Sequence, residues 1–357
     1  LKEIVKEAEK RKPDAVVIAG DIYDKAIPSA EAVQMFDGFL KDITEALPEA
    51  EIMMISGNHD SAARLNIYRS LLAREKIHMI GLPPEAPEDH IEKLVLEDEY
   101  GPVNFWLLPF VKPSMVRLIT RQDENDRAYS YDEVIHILLE REKIDPAERN
   151  VFVSHQFYLP KGKDASEIER MDSEIVTVGN IDAVSSDVLE KFDYAALGHV
   201  HKPMKVGNEY YRYSGTPMAS SFSEAGQEKG IIEVELKAKG EIDTTVIPLK
   251  PLHEVKTIKG ELEEILQMGS DDYVSVMLTD VEGSIEPSEA NDRIKAAFPN
   301  VLEIRRQNIR RADYSGRVNV KKELDPFELC CSFLAEPDEE QKELLKDVIN
   351  SVLEADR

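Results

Sequence analysis

Cysteine is nearly absent: the 357 residues hold two, adjacent at Cys330 and Cys331. So few thiols exclude a disulfide framework and fit a reducing, cytoplasmic compartment. Long apolar runs are missing as well. The longest, Ala15 to Ala19 and Phe105 to Val111, fall far short of the roughly 18 residues that span a bilayer. Positive charge is in deficit, with 44 Lys and Arg against 70 Asp and Glu and a formal charge of −26. A chain that held nucleic acid by its general surface would be basic. Either the substrate is not a polyanion, or its phosphates are met locally by metal ions or a partner. No Gly-x-x-x-x-Gly-Lys-Ser/Thr phosphate loop occurs, so ATP hydrolysis must be supplied elsewhere. No signal peptide is visible. The chain opens at Leu1 rather than methionine, so its true start is expected upstream.

Apolar residues at 42% and charged residues at 32% describe a globular protein, and the length predicts two or three domains. Leu1, Ile4, Val5 and Ala8 make a helical stripe. An apolar strand follows from Asp14 to Ala19, of the kind buried on both faces of an α/β sheet. Ser29 caps a second helix bearing Val33, Phe36, Leu40, Ile43 and Leu47. Another apolar strand spans Ile52 to Ile55. A chain beginning inside the helix of a β-α-β unit implies an earlier strand, which is expected to precede Leu1. Further strands are predicted at 103–108, 151–154, 194–197, 210–213 and 231–236. The fold expected is a layered α/β sandwich over 1–250. A small α+β domain follows over 251–310, then a basic linker and a pair of C-terminal helices over 311–357.

Four polar clusters close predicted strands: Gly20-Asp21, Gly57-Asn58-His59-Asp60, His155, and Gly198-His199-Val200-His201. That edge of an α/β sheet is where ligands gather. Asp, Asn and His supply oxygen and nitrogen donors suited to Mn²⁺, Fe²⁺ or Zn²⁺. His199 and His201 stand at i and i+2, so on extended backbone both rings leave one face. Each cluster alone has a plainer reading: Gly-Asp and Asn58 as turns, His155 as a satisfied half-buried histidine. Four in this order at strand ends point to a metal site. Asp24 reads equally as a turn residue or as support for that site. His78, His90, His136 and His253 show no ligand spacing, and Trp106 reads as core.

Gly20-Asp21-x-x-Asp24, Gly57-Asn58-His59-Asp60, His155 and Gly198-His199-x-His201 resemble the motif series of calcineurin-like metallophosphoesterases. Within that superfamily the chain is most similar to the SbcD nuclease subunits of bacterial SbcCD double-strand-break complexes. The segments that carry this are Asp14 to Asp21, Phe192 to His199, Tyr213-Ser-Gly215 and Ser221-Phe-Ser-Glu224. The resemblance implies a DNA nuclease of repair and recombination, exonuclease on duplexes and endonuclease on single strands and hairpins. It implies two divalent ions, Mn²⁺ foremost, bridged by Asp21. Asn58, His155 and His199 would hold one ion and His201 would complete the other. His59 would face the scissile phosphate, with Asp60 orienting its ring. The family's first motif, Asp-x-His, has no counterpart here and would sit on the strand expected before Leu1.

Arg305, Arg306, Arg310, Arg311, Arg317, Lys321 and Lys322 form the one basic stretch. It reads either as a solvated linker or as a sequence-independent phosphate contact. The apolar stripe Phe327, Cys330, Cys331, Leu334 and that of Leu344, Leu345, Val348, Ile349, Val352, Leu353 lie on the terminal helices. By resemblance these grip the ATPase SbcC, in a heterotetramer built on a nuclease homodimer, nucleoid-associated and off the membrane. Two other readings stay open: another phosphodiesterase or phosphatase of the superfamily, and a non-catalytic scaffold for SbcC and DNA.

Overall fold

A computed structural model of the chain describes residues 1–120, 127–163, 168, 171–174, 182–280, 286–307, 327, 331 and 339–355. It divides into two compact units, the first comprising Leu1–Glu174 with Asp182–Leu252 and the second including His253–Arg357.

In the first unit, helix α1 (Lys2–Arg11) ends where Lys12 takes a left-handed conformation and returns its N–H to the Ala8 carbonyl. Strand β1 (Ala15–Ala19) pairs in parallel with β2 (Glu51–Ile55), and β2 with β3 (Ile77–Ile80). Between β1 and β2 runs α2 (Ala30–Ala46), whose first turn is capped by the Ser29 hydroxyl accepting from the Ala32 amide. A second sheet holds β4 (Glu92–Asp98), β5 (Gly101–Leu108), β6 (Arg149–His155), β9 (Tyr194–Gly198), β10 (Met204–Lys205) and β11 (Tyr211–Tyr213), in the order β10-β11-β9-β6-β5-β4. The short parallel pair β7 (Phe157–Leu159) and β8 (Ala183–Ser185) follows β6 in the chain.

Side chains alternate along these strands, and each face of each sheet finds apolar cover. Val16, Ile18, Ile52 and Met54 pack with Phe39, Ile43 and Leu47 of the α1–α2 side. Val17, Ala19, Met53 and Ile55 meet Val103, Phe105, Leu107, Val151 and Val153 of the second sheet. The far face of that sheet, Trp106, Leu108, Phe152 and Leu197, packs against Val134, Ile135, Leu138 and Leu139 of helix Tyr131–Glu140. Apolar cover on both faces is why β1, β2 and β6 read as apolar runs. A fully buried side chain such as Ile43 contributes about 1.5–3 kcal/mol. The architecture is therefore the expected α/β sandwich, helix, sheet, sheet, helix.

Trp106 lies in the core, its indole N–H donating to Asn150 Oδ1 at 3.1 Å. The hairpin β12 (Gly230–Leu236) and β13 (Ile242–Pro248) is antiparallel. Buried Arg149 ties it to the second sheet, donating to the Lys237 carbonyl at 3.0 Å and to Asp98.

The second unit contains β14 (Val255–Gly260), β15 (Tyr273–Leu278) and β16 (Val301–Arg306), with helices Leu262–Leu266 and Pro287–Ala297 between them in the chain. The described part of this small unit is a β-α-β-α-β arrangement whose three strands run parallel. Leu262, Ile265, Val274, Val276, Ala290, Ile294 and Phe298 form its core. The last helix has 17 residues, Glu339–Ala355, and on it Leu344 and Val348 are exposed. Of the helix expected before it, Phe327 and Cys331 are helical; Cys330 and Leu334 lie outside the described residues. Among the described residues no helix is long and apolar enough to cross a membrane.

Candidate metal centre

The parallel strands β1, β2, β6 and β9 release their carboxyl ends into one place. His155, the last residue of β6, is 1% exposed and holds its Nδ1 against the Ala19 carbonyl at the end of β1, at 2.7 Å. That bond puts the ring proton on Nδ1 and leaves a lone pair on Nε2. Nε2 stands 3.0 Å from Asn58 Oδ1 and 3.1 Å from Asp21 Oδ2. His199 brings its own Nδ1 to the same Asn58 oxygen, at 2.9 Å. Two imidazole nitrogens, an amide oxygen and a carboxylate oxygen thus converge from four strand ends.

Tight backbone makes this approach possible. A Cβ at Gly57 would overlap the Asp21 carboxylate, and one at Gly198 would overlap the Ala19 carbonyl. Asp21 and His199 themselves adopt positive φ, 48° and 101°, conformations that side-chain-bearing residues seldom take. Such strain gathers where surrounding structure forces a functional geometry. Phe110 stacks on His199 with centroids 6.3 Å apart and meets the His155 ring edge-on.

The donor set fits a divalent cation. Spacings near 3 Å are roughly those of neighbouring ligands around one ion with bonds of about 2.1 Å. An imidazole lone pair facing two oxygens also calls for positive charge between them. Burial alone would raise the Asp21 carboxyl, but the neighbouring His155 and His59 hold it well below the usual carboxylate range. Burial likewise disfavours the His155 cation, yet Asp21 outweighs it and lifts that pKa. Among the described residues no group of three or more His, Cys, Asp and Glu stands ready for a metal. The convergence turns on Asn58, an amide outside that class.

His59 occupies the rim. Its backbone N–H donates to Asp21 Oδ1 at 2.9 Å, and its Nε2 is 3.9 Å from Asp21 Oδ2. The ring is oriented by the Asp24 carbonyl, 2.9 Å from Nδ1. The expectation that Asp60 orients this ring is therefore corrected. The Asp60 carboxylate accepts from the Ile22, Tyr23 and Gly57 amides at 3.0, 2.9 and 2.9 Å, stitching the two loops together. Burial, with the Asp21 charge, keeps its pKa raised despite these donors.

His201 is built differently. Its Nδ1 lies 2.7 Å from Ser173 Oγ and 3.4 Å from Glu224 Oε1. Its backbone N–H donates to Glu174 at 2.8 Å, and its carbonyl accepts from Lys229 Nζ at 2.9 Å.

Residues 1–203 match the pattern of the calcineurin-like phosphoesterases. That is more than half of the chain. The chain belongs to this family. Residues 249–337 match a second pattern, described as the type 5 capsule protein repressor C-terminal domain. The chain is also 29% identical over 332 residues to the SbcD component of the nuclease SbcCD of Staphylococcus epidermidis, spanning 91% of this chain and 83% of that protein.

A calcineurin-like phosphoesterase works with divalent metal ions, and two buried carboxylates outside the metal motifs contact the histidines that could hold them here. Asp182, 3% exposed, places Oδ2 3.6 Å from His199 Nε2. Glu224 is fully buried with Lys229 Nζ at 2.6 Å. Neither belongs to the metal motifs, and the role of each is recognised by what it touches. Glu224 lies in the Ser221-Phe-Ser-Glu224 wording, which offered the one available hint. Burial would raise the Glu224 carboxyl, but hydrogen bonds from His201, Lys229, Ser173 and Ser220 hold it well below its ordinary range.

Of the basic residues, Arg305 pairs with Glu303 at 2.6 Å, and Arg306 reaches the Pro287 carbonyl at 3.4 Å. Arg310, Arg311, Arg317, Lys321 and Lys322 lie outside the described residues.

Proposed function

We propose that this calcineurin-like phosphoesterase is an SbcD-type DNA nuclease that hydrolyses phosphodiester bonds at two Mn²⁺ ions. It would act as an exonuclease on duplex DNA and an endonuclease on single strands and hairpins. The convergence of His155 Nε2, His199 Nδ1, Asn58 Oδ1 and Asp21 Oδ2 carries the reading. These four would hold one ion, and Asp21 and His201 would contribute to the other. Bound ions supply a nucleophilic hydroxide and neutralise charge on the phosphodiester. They also answer the acidity of the chain, because the cations a polyanion needs sit in the site itself.

The chain's own residues do the rest. With the His59 ring proton directed at the Asp24 carbonyl, Nε2 is the nitrogen available to the substrate. As imidazolium it would donate to the leaving oxygen. Asp60 fixes the loops that set this distance. Phe110 packs against both metal-facing rings.

Likeness to the SbcD component of the nuclease SbcCD along most of the chain supports an SbcC ATPase partner and a homodimer within a heterotetramer. In this reading the segment from 251 to 310 caps the site and the terminal helix grips SbcC. Arg305, Arg306, Arg310 and Arg311 would contact the DNA backbone without reading sequence.

The test compares Mn²⁺-dependent cleavage of duplex DNA with that of a small phosphodiester, in the wild type and in His59→Ala. A loss of roughly 10²–10⁴-fold on DNA is expected for His59→Ala. Undiminished cleavage would exclude the assigned role. Small-diester hydrolysis without DNA cleavage would favour a different phosphodiesterase.

A further inference from the structure

The surroundings of His201 form a hydrogen-bonded network in which the protons of Lys229, Thr216 and Ser173 have defined acceptors, and His201 Nδ1 has its shortest contact to Ser173 Oγ at 2.7 Å with Glu224 Oε1 farther away at 3.4 Å. Lys229 is 6% exposed. Its ammonium has three N–H bonds to give, and three acceptors receive them: Glu224 Oε2 at 2.6 Å, Thr216 Oγ1 at 2.9 Å and the His201 carbonyl at 2.9 Å. Thr216 Oγ1, accepting from Lys229, gives its own proton to Glu224 Oε2 at 2.9 Å. On the other carboxylate oxygen arrive the hydroxyls of Ser220 at 2.9 Å and Ser173 at 2.6 Å. Ser221 Oγ is more distant, at 3.3 Å. An ionised carboxylate offers no proton in return, so Ser173 must donate to Glu224.

The consequence falls on the histidine. A serine hydroxyl has a single proton. With that proton committed to Glu224, Ser173 Oγ can meet His201 Nδ1 at 2.7 Å only as an acceptor. The imidazole proton is therefore on Nδ1, and the neutral ring keeps its lone pair on Nε2. The backbone is fixed by the same group of residues, with Thr216 N–H also donating to the His201 carbonyl at 3.1 Å.

We propose that Ser173, Glu224 and Lys229 form a positioning relay that sets the tautomer and ring orientation of His201, presenting Nε2 as a metal donor. The relay rests on the reading of His201 as a ligand, and it adds three residues outside the metal motifs to the site. It is the counterpart, made from side chains, of the Ala19 carbonyl that sets His155. Outer-shell partners of metal-binding histidines commonly account for 10–100-fold in metal affinity.

Ser173→Ala removes only a hydroxyl, and Ser173→Thr restores it. Nitrogen NMR of the histidine-labelled chain, with the His201 signal assigned through His201→Gln, reads the tautomer without any metal. Mn²⁺ titration reads affinity, and thermal melting checks the fold. The expected result is Nδ1–H in the wild type and in Ser173→Thr, and a shift toward Nε2–H in Ser173→Ala. Mn²⁺ affinity should fall roughly 10–100-fold in Ser173→Ala alone of these, with its melting temperature within a few degrees of wild type. A wild-type ring protonated on Nε2, or an Nδ1–H ring persisting in Ser173→Ala, overturns the relay. Affinity lost in His201→Ala but kept in Ser173→Ala overturns the relay and leaves the ligand reading standing. Affinity kept in both variants overturns the ligand reading, and the relay's metal role with it.

Discussion

The two sides of the site are made by different means. Around His155 the backbone does the orienting: the Ala19 carbonyl sets the tautomer, and Asp60 binds three amides of the neighbouring loops. Around His201 side chains do it, through Ser173, Glu224 and Lys229. A backbone-oriented ligand survives any substitution that preserves the strand ends. One oriented by side chains depends on particular residues scattered along the chain, and on a buried ion pair.

Breaking that ion pair is the sharpest way to test the contrast. Lys229→Met leaves Glu224 buried without its counter-ion, and about 3–5 kcal/mol of stability should be lost in chemical denaturation. A loss below about 1 kcal/mol would mean that the His201 side is not held as described. Replacing Glu224 by Leu in the same chain should recover part of the loss, because the stranded charge is gone.

On the backbone side the corresponding change is Asp60→Asn. An amide of the same size offers one acceptor oxygen to three N–H donors, and one of those, at Gly57, is buried. The expected cost is roughly 2 kcal/mol in urea unfolding. An unchanged midpoint would detach Asp60 from the loops it is drawn to hold.

The smallest effect belongs to a histidine outside the site that combines both devices. His136 has Nδ1 on the Asp132 carbonyl at 2.9 Å and Nε2 near Asp187 at 3.3 Å. Burial lowers its pKa, but these contacts outweigh burial and leave it raised. A raised folded-state pKa means stabilisation fully present below the unfolded value, about 6.5, and lost as pH rises through the folded value. The wild type should therefore exceed His136→Gln in melting temperature at pH 6 by roughly one or two degrees more than at pH 8.5. An equal gap at both pH values would show that the carboxylate contact is absent in solution.

The same contrast explains what could be read in advance. β1, β2, β6 and β9 announce themselves as apolar runs because both their faces are covered. Asp21, Asn58, His155 and His199 stand directly at their ends. The second unit was legible as a small mixed domain, but not the parallel direction of its strands Val255–Gly260, Tyr273–Leu278 and Val301–Arg306. Periodicity records which residues are covered, not which way a neighbouring strand runs. Asp60 was legible as a site residue and misread in role, since a carboxylate beside a histidine can serve a ring or an amide equally well.

What the sequence determined by itself is the alternation of apolar strands and helices and the placing of donors at strand ends, both of which are local in the chain. What only the tertiary structure decided is how those donors are aimed: Asp24 giving His59 a carbonyl, Asp182 facing His199, and Glu224 reaching His201 through Ser173. The physical reason is range. A hydrogen bond is settled within about 3 Å of space, and residues far apart in the chain meet at that distance only after the core has closed.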